Sequence, residues 1–176
     1  GIAMMNASLS DGSMRKGLAA LFEMSGNMGV VDSASVAYRI APRINAAGRM
    51  GSAERALKLI LTEDSEEAID IAKEISDANA QRQAIEAGIT EEAIEIIEKT
   101  PEIKYNRVIV VSGENWHQGV IGIVASRLTE KYGKPCIVIS KNDGVGKGSG
   151  RSIEGFSLYD ALSYCSEILV QFGGHV

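Results

Sequence analysis

The chain has 176 residues, is 45% hydrophobic and carries a formal net charge of −5. That is apolar material enough to bury a core, and the net charge alone argues against a nucleic-acid partner. No apolar run reaches the roughly 18 to 20 residues of a membrane-spanning helix, and the first residues lack the charged-then-apolar order of a signal peptide, so the expectation is a cytoplasmic protein with no membrane partner.

The distribution of charge changes that first impression. From Glu63 to Glu102 there are 13 Asp and Glu against three basic residues, Lys73, Arg82 and Lys99. The remainder holds 15 Lys and Arg against 10 acids, and its arginines cluster in glycine-rich motifs that a phosphate backbone could approach. The two cysteines, Cys136 and Cys165, lack zinc or disulfide spacing and are read as core thiols.

In chain order, residues 14–25 predict a short helix closed by Gly26, and Asp32 caps a second that runs through Val36, Tyr38 and Ile40. Pro42 to Gly51 is too rich in small residues for an ordinary amphipathic helix and too poor in β-branched residues for a strand, so it reads as a shaped turn. Ser52 then caps a helix over 53–61. Asp64, with Glu67 three residues on, starts a long helix reaching about Glu98, weakly interrupted at Gly88; at about 1.5 Å per residue it spans roughly 50 Å, suiting a strut. Its acidic outer face is read as solvated surface.

After Pro101 the periodicity changes. Val108 to Val111 and Cys136 to Ile139 are short β-branched runs separated by a helical stretch over 119–132, a β-α-β unit whose strands should be parallel. The loop after Val111 then lies at the carboxyl edge of the sheet, where open α/β folds bind ligands. Asn142-Asp143-Gly144 signals a turn, 145–152 a glycine-interrupted strand, and 158–168 a further helix. The fold expected is α/β, a mostly parallel or mixed sheet flanked by helices after a helical lead-in with one long helix. The division expected is a lead-in over 1–62, a connecting helix over 63–100 and an α/β substrate-binding domain over 101–176.

Three motifs carry the chemistry: Arg43-Ile44-Asn45-Ala46-Ala47-Gly48-Arg49; Trp116-His117-Gln118-Gly119-Val120-Ile121-Gly122; and Gly148-Ser149-Gly150-Arg151-Ser152, followed by Gly173-Gly174-His175. Each joins small residues, which admit close backbone approach, to a hydrogen-bond donor; arginine adds a planar fork suited to phosphate. Gly119 opens a helix just after His117, so free N–H groups and the positive dipole end share a rim with that imidazole. Alternatives stand beside each reading. Gly148 to Ser152 is a phosphate cradle or a plain β-turn, His117 a ligand group or a capping residue, and Trp116 a base-stacking platform or core packing.

Seven aspartates are scattered without ligand spacing and the two histidines lie 58 residues apart, so the converging donors of a two-metal nuclease are not found, nor is a zincin, Walker or nucleophile-elbow motif. The chain by itself is expected to hydrolyse nothing.

In this order the motifs resemble those of the RecJ family of the DHH phosphoesterase superfamily. Arg43 to Met50 resembles its arginine-asparagine turn at the end of the interdomain helices, Trp116 to Arg127 its His-Gly-Val-Ile-Gly-Ile-Val-Ala-Ser-Arg motif, and Gly148 to Ser152 with Gly173 to His175 the substrate loops of its DHH-associated domain. The resemblance implies a parent that removes nucleotides from the 5′ end of single-stranded DNA in recombination and repair. It places Mn2+ or Mg2+ in an N-terminal DHH domain that is a partner in cis and whose Asp-His-His signature is not in this sequence, with no cofactor on the present residues. The chain is therefore read as part of a longer protein. The roles implied are phosphate contacts for Arg43, Arg49 and Arg151, hydroxyl donors at Ser149 and Ser152, and His117 and His175 near the scissile or terminal phosphate; Asn45, Trp116, Gly119, Gly150, Gly173 and Gly174 complete the candidate DNA-binding set. Two other functions remain open: a DHH phosphoesterase of short oligonucleotides or cyclic dinucleotides, and a non-catalytic nucleotide-binding module.

Overall fold

A computed structural model describes residues 1–26, 30–51 and 53–174. The chain divides into two compact units, Gly1–Ala84 and Ile85–Val176, and the division falls inside one long helix.

The first unit is helical. Helices α1 (Ile2–Ser10) and α2 (Lys16–Met24) are followed by α3 (Ser33–Ser35), a π-turn (Val36–Ile40), α4 (Ala41–Met50), α5 (Ala53–Leu61) and the start of α6 (Ser65–Lys99). Leu21, Phe22, Val31, Ile40, Leu59, Ile71 and Ile75 form its core. Asn6 ties α1 to the next segment with both amide atoms, its Nδ2 donating to Val31 O at 2.8 Å and its Oδ1 accepting from Val31 N–H at 2.7 Å. Asp32 caps α3 as expected, accepting from the Ser35 N–H at 2.6 Å. The expected cap at Ser52 lies outside the described residues.

The segment expected to be a shaped turn, Pro42 to Gly51, is helical instead. Proline has no N–H to close an α-turn. The chain accommodates this by widening: the Ala41 N–H reaches back five residues to Val36 O, and Pro42 sits at the opening of α4. Its small residues serve packing, Ala46 and Ala47 both being buried. Helix α6 is continuous over 35 residues, with no break at Gly88. Among the described residues no helix is long and apolar enough to cross a membrane.

In the second unit, after α7 (Pro101–Lys104), come β1 (Ile109–Glu114), α8 (Ile121–Tyr132), β2 (Cys136–Asn142) and β3 (Val145–Arg151). The sheet has the order β1-β2-β3, with β1 and β2 parallel across the α8 crossover and β3 antiparallel to β2. The sheet is thus mixed, and both strands of the β-α-β unit pair as the sequence predicts. Asp143 and Gly144 turn the hairpin with φ of 49° and 79°, the left-handed pair that a two-residue type I′ turn needs. Ile109, Val111, Cys136 and Val138 bury one sheet face together with Val124, Ala125 and Leu128 of α8. The predicted last helix is shorter, α9 (Leu158–Ser163) and then a 3-10 turn (Ser166–Ile168). Cys136 is a core thiol as expected, but Cys165 is exposed, lying after the end of a helix that buries none of its own residues.

Candidate nucleic-acid interface

Strand alternation sorts the residues of β3. Ser149 and Arg151 are paired with the buried Val138 and Cys136, so they share the face covered by α8, and Lys147 follows on that face opposite Ser140. The intervening glycines occupy the other face: a Cβ on Gly148 would rest near Ile139 and Ile137, and one on Gly150 would strike the Leu158 side chain at 2.5 Å. Gly150 therefore serves packing, a role that explains it without a ligand.

Helix α8 meets the first of these faces at its opening turn. A Cβ on Gly122 would lie 3.0 Å from Ser149 Oγ and 3.5 Å from Arg151 Nη2. The guanidinium is held in place from behind: its Nε donates to Ser126 Oγ at 3.1 Å, its Nη1 donates to Gly150 O at 2.7 Å, and Ser126 Oγ in turn donates to Gly122 O at 3.2 Å. Nη2 and the Ser149 hydroxyl are thereby brought together at the first turn of α8. Gly122 and Ser126 were missed as site residues, although their four-residue spacing places them on one helix face and offered the signal.

His117 stands just before this turn. Its Nδ1 accepts the Gly119 N–H at 3.1 Å, and its carbonyl accepts from Val120 at 2.9 Å and Ile121 at 3.2 Å. The helix starts at Ile121, two residues later than expected, and the N–H groups of 119 to 121 that were to be free for an anion are engaged by His117. With Nδ1 as acceptor, the neutral ring carries its proton on Nε2, which is the atom left for a ligand.

Trp116 takes the packing role. It is 3% exposed, lies over Gly113 so closely that a Cβ there would be 2.1 Å from its ring, and donates from Nε1 to Glu92 at 2.8 Å. A ring so enclosed offers no face to a base. Ser152 also departs from its expected role, since its hydroxyl donates to Phe156 O at 2.6 Å and holds the 152–156 turn.

In the first unit, Arg43, Asn45 and Arg49 lie on α4, with Asn45 and Arg49 exposed. Arg43 Nη1 donates to Arg39 O at 2.6 Å, and burial together with the Arg39 charge pushes its pKa down. Gly173 and Gly174 are exposed and in no regular element, and His175 lies outside the described residues.

Among the described residues no three His, Cys, Asp or Glu side chains are grouped to hold a metal ion.

The chain is similar to known proteins in sequence and in fold. Residues 105–176 match the DHHA1 domain model, so the sheet and α8 form a domain of that class. The chain is 43% identical over 164 residues to the single-stranded-DNA-specific exonuclease RecJ of Bacillus subtilis, covering 92% of this chain and 21% of that protein. It is 40% identical to the exonuclease of the same name from Thermus thermophilus, covering 90% and 22%. A crystal structure of the Thermus thermophilus RecJ in complex with Mg2+ superposes with a TM-score of 0.79 at 38% identity, over 91% of this chain and 24% of that one. A structure of exonuclease RecJ bound to manganese gives 0.77 at 38%, over 91% and 39%. Over the DHHA1 domain and the helices before it, the chain is similar to these RecJ exonucleases. It spans between 21% and 30% of the length of the curated relatives it matches.

Proposed function

We propose that this chain is the substrate-gripping part of a RecJ-type exonuclease that digests single-stranded DNA from the 5′ end in recombination and repair, in the cytoplasm. Metal-activated water, held by Mn2+ or Mg2+ in a DHH domain acting in cis, cleaves the phosphodiester, and the residues of this chain position the strand. In this reading 1–62 is the lead-in, 63–100 the connecting helix and 101–176 the domain that meets the substrate.

The observation that carries the proposal is the convergence of Arg151 Nη2 and the Ser149 hydroxyl on the opening turn of α8 at Gly122. A guanidinium braced on two edges, with its remaining edge beside a hydroxyl, suits a phosphate oxygen. Arg151 binds the phosphate, Ser149 donates to it, and His117, just before the same helix, offers Nε2. Arg43, Asn45 and Arg49 on α4, and Gly173 to His175 beyond the domain's last helix, supply further contacts along the strand.

The test is binding of this chain to a 5′-phosphorylated single-stranded oligomer across a salt series. The expected affinity is micromolar or poorer and falls with salt, with Arg151→Ala flattening the log–log slope by about 0.7, the loss of one phosphate contact on a single strand. Added Mn2+ should produce no cleavage. Robust metal-dependent hydrolysis by this chain, or tighter binding of a mononucleotide than of the oligomer, would overturn the assignment.

A further inference from the structure

We propose that Arg39 and Arg43 together form a second phosphate-binding subsite, on the first unit, in which one phosphodiester group bridges the two guanidinium ions. Arg39 lies outside the motifs described above, and the inference rests on the strand-binding reading of the chain.

Three observations lead to it. Arg43 folds back along the helix so that its Nη1 donates to Arg39 O at 2.6 Å. This brings two cations onto neighbouring turns, and the Arg39 charge helps depress the Arg43 pKa. Like charges four residues apart on a helix repel, an arrangement a sequence does not keep for stability. Second, Arg43 Nε is buried and makes no hydrogen bond. An orphaned donor on a charged group is costly unless something completes it.

Third, no carboxylate neutralises the pair. Among the described residues neither arginine is in an ion pair, whereas Arg55 and Lys58 of the same unit are paired with Glu74 and Glu67. The acid that feels Arg39 is Asp32, and its carboxylate is already committed to the Ser35 N–H and hydroxyl at 2.6 Å each. Two adjacent unneutralised guanidinium groups, one with an unfilled donor, fit a tetrahedral anion with several acceptor oxygens. Arg39 lies within the π-turn that precedes Pro42.

The experiment is the same salt series on the 176-residue chain with a 5′-phosphorylated single-stranded oligomer, comparing wild type, Arg39→Ala, Arg39→Lys and Arg151→Ala, each checked for an unchanged thermal midpoint. Arg39→Ala should lower affinity about three- to tenfold at low salt and reduce the slope by about 0.7, and Arg39→Lys should restore the slope while recovering the affinity only in part. A reduced slope with Arg151→Ala and an unchanged one with Arg39→Ala would overturn the subsite and leave the proposed function standing. If neither variant alters a measurable slope, or the wild type shows no salt-dependent binding, both proposals fail.

Discussion

Replacing Gly122 with alanine should separate stability from binding. The added methyl would sit 3.0 Å from Ser149 Oγ, 3.7 Å from its Cβ and 3.5 Å from Arg151 Nη2, all side-chain atoms able to shift. Two opposing contributions act on stability. Alanine is favoured over glycine within a helix by up to about 1 kcal/mol, less in a first turn, while crowding a side chain off its rotamer costs about 0.5–1.5 kcal/mol. The net change should be within about 1 kcal/mol, a small fraction of a domain's stability. Binding has no such compensation, because the two groups that move are those proposed to hold the phosphate. Losing one hydrogen bond involving a charged group costs about 1.5–3 kcal/mol, roughly a 10- to 150-fold weaker complex. Chemical denaturation would read the first quantity and a salt series with a single-stranded oligomer the second. Wild-type affinity in a Gly122→Ala protein of wild-type stability would refute the placement of the phosphate at this turn.

Two further substitutions probe the second unit. Gly113→Ala puts a Cβ 2.1 Å from the Trp116 ring, so the indole must leave its seat and its bond to Glu92; the overpacking and the lost bond together should destabilise by about 3–5 kcal/mol. Trp116 is the single tryptophan, so a red-shifted emission should accompany the loss, and unchanged emission with an unchanged denaturation midpoint would contradict its buried seat. For pH, burial and then the hydrogen bond to Glu98 push the Tyr132 phenol from 10.0 up to about 12. A folded pKa above the unfolded one means this contribution is whole below pH 10 and drains away as pH rises through about 12. Tyr132→Phe should therefore lose less stability over that interval than wild type, and identical alkaline profiles would rule the effect out.

What could be read in advance follows from how local each signal is. The β-α-β unit was legible because β-branched runs and a 3.6-residue period are properties of neighbouring residues, and the Asn142-Asp143-Gly144 turn because positive φ restricts residue choice to a few types. Ser149 and Arg151 were expected as donors, and strand alternation explains why they share one sheet face while Gly148 and Gly150 face away. The errors lie where tertiary contact decides. The alanines of Pro42 to Gly51 suggested a turn because their smallness was read as conformational rather than as room for close packing, and a π-turn that absorbs a proline leaves no pattern in the sequence. Trp116 was undecided between stacking and packing, since only the fold reveals that Gly113, three residues earlier, is the space its ring occupies. The four-residue spacing of Gly122 and Ser126 marks one helix face, but that β3 lies against that face is a tertiary fact.

The charge balance, which at first argued against a nucleic-acid partner, is resolved by where the carboxylates go. In the second unit the acidic face of α6 is only partly the solvated surface expected. Glu86 is 2% exposed and pairs with Arg127, Glu92 accepts from Trp116, and Glu98 accepts from Tyr132 and pairs with Lys104. These acids are engaged in holding the helix to its own unit, and the cation they consume on α8 is Arg127. None of them pairs with Lys147 or Arg151, and among the described residues neither of those cations has an ion-pair partner, although Lys141 one strand away is paired with Glu114. A net charge of −5 therefore coexists with a β3 face whose positive charge is unneutralised, because negative charge tied up in packing cannot screen a cation on another element. Local pairing, rather than the total, determines whether such a chain can hold a polyanion.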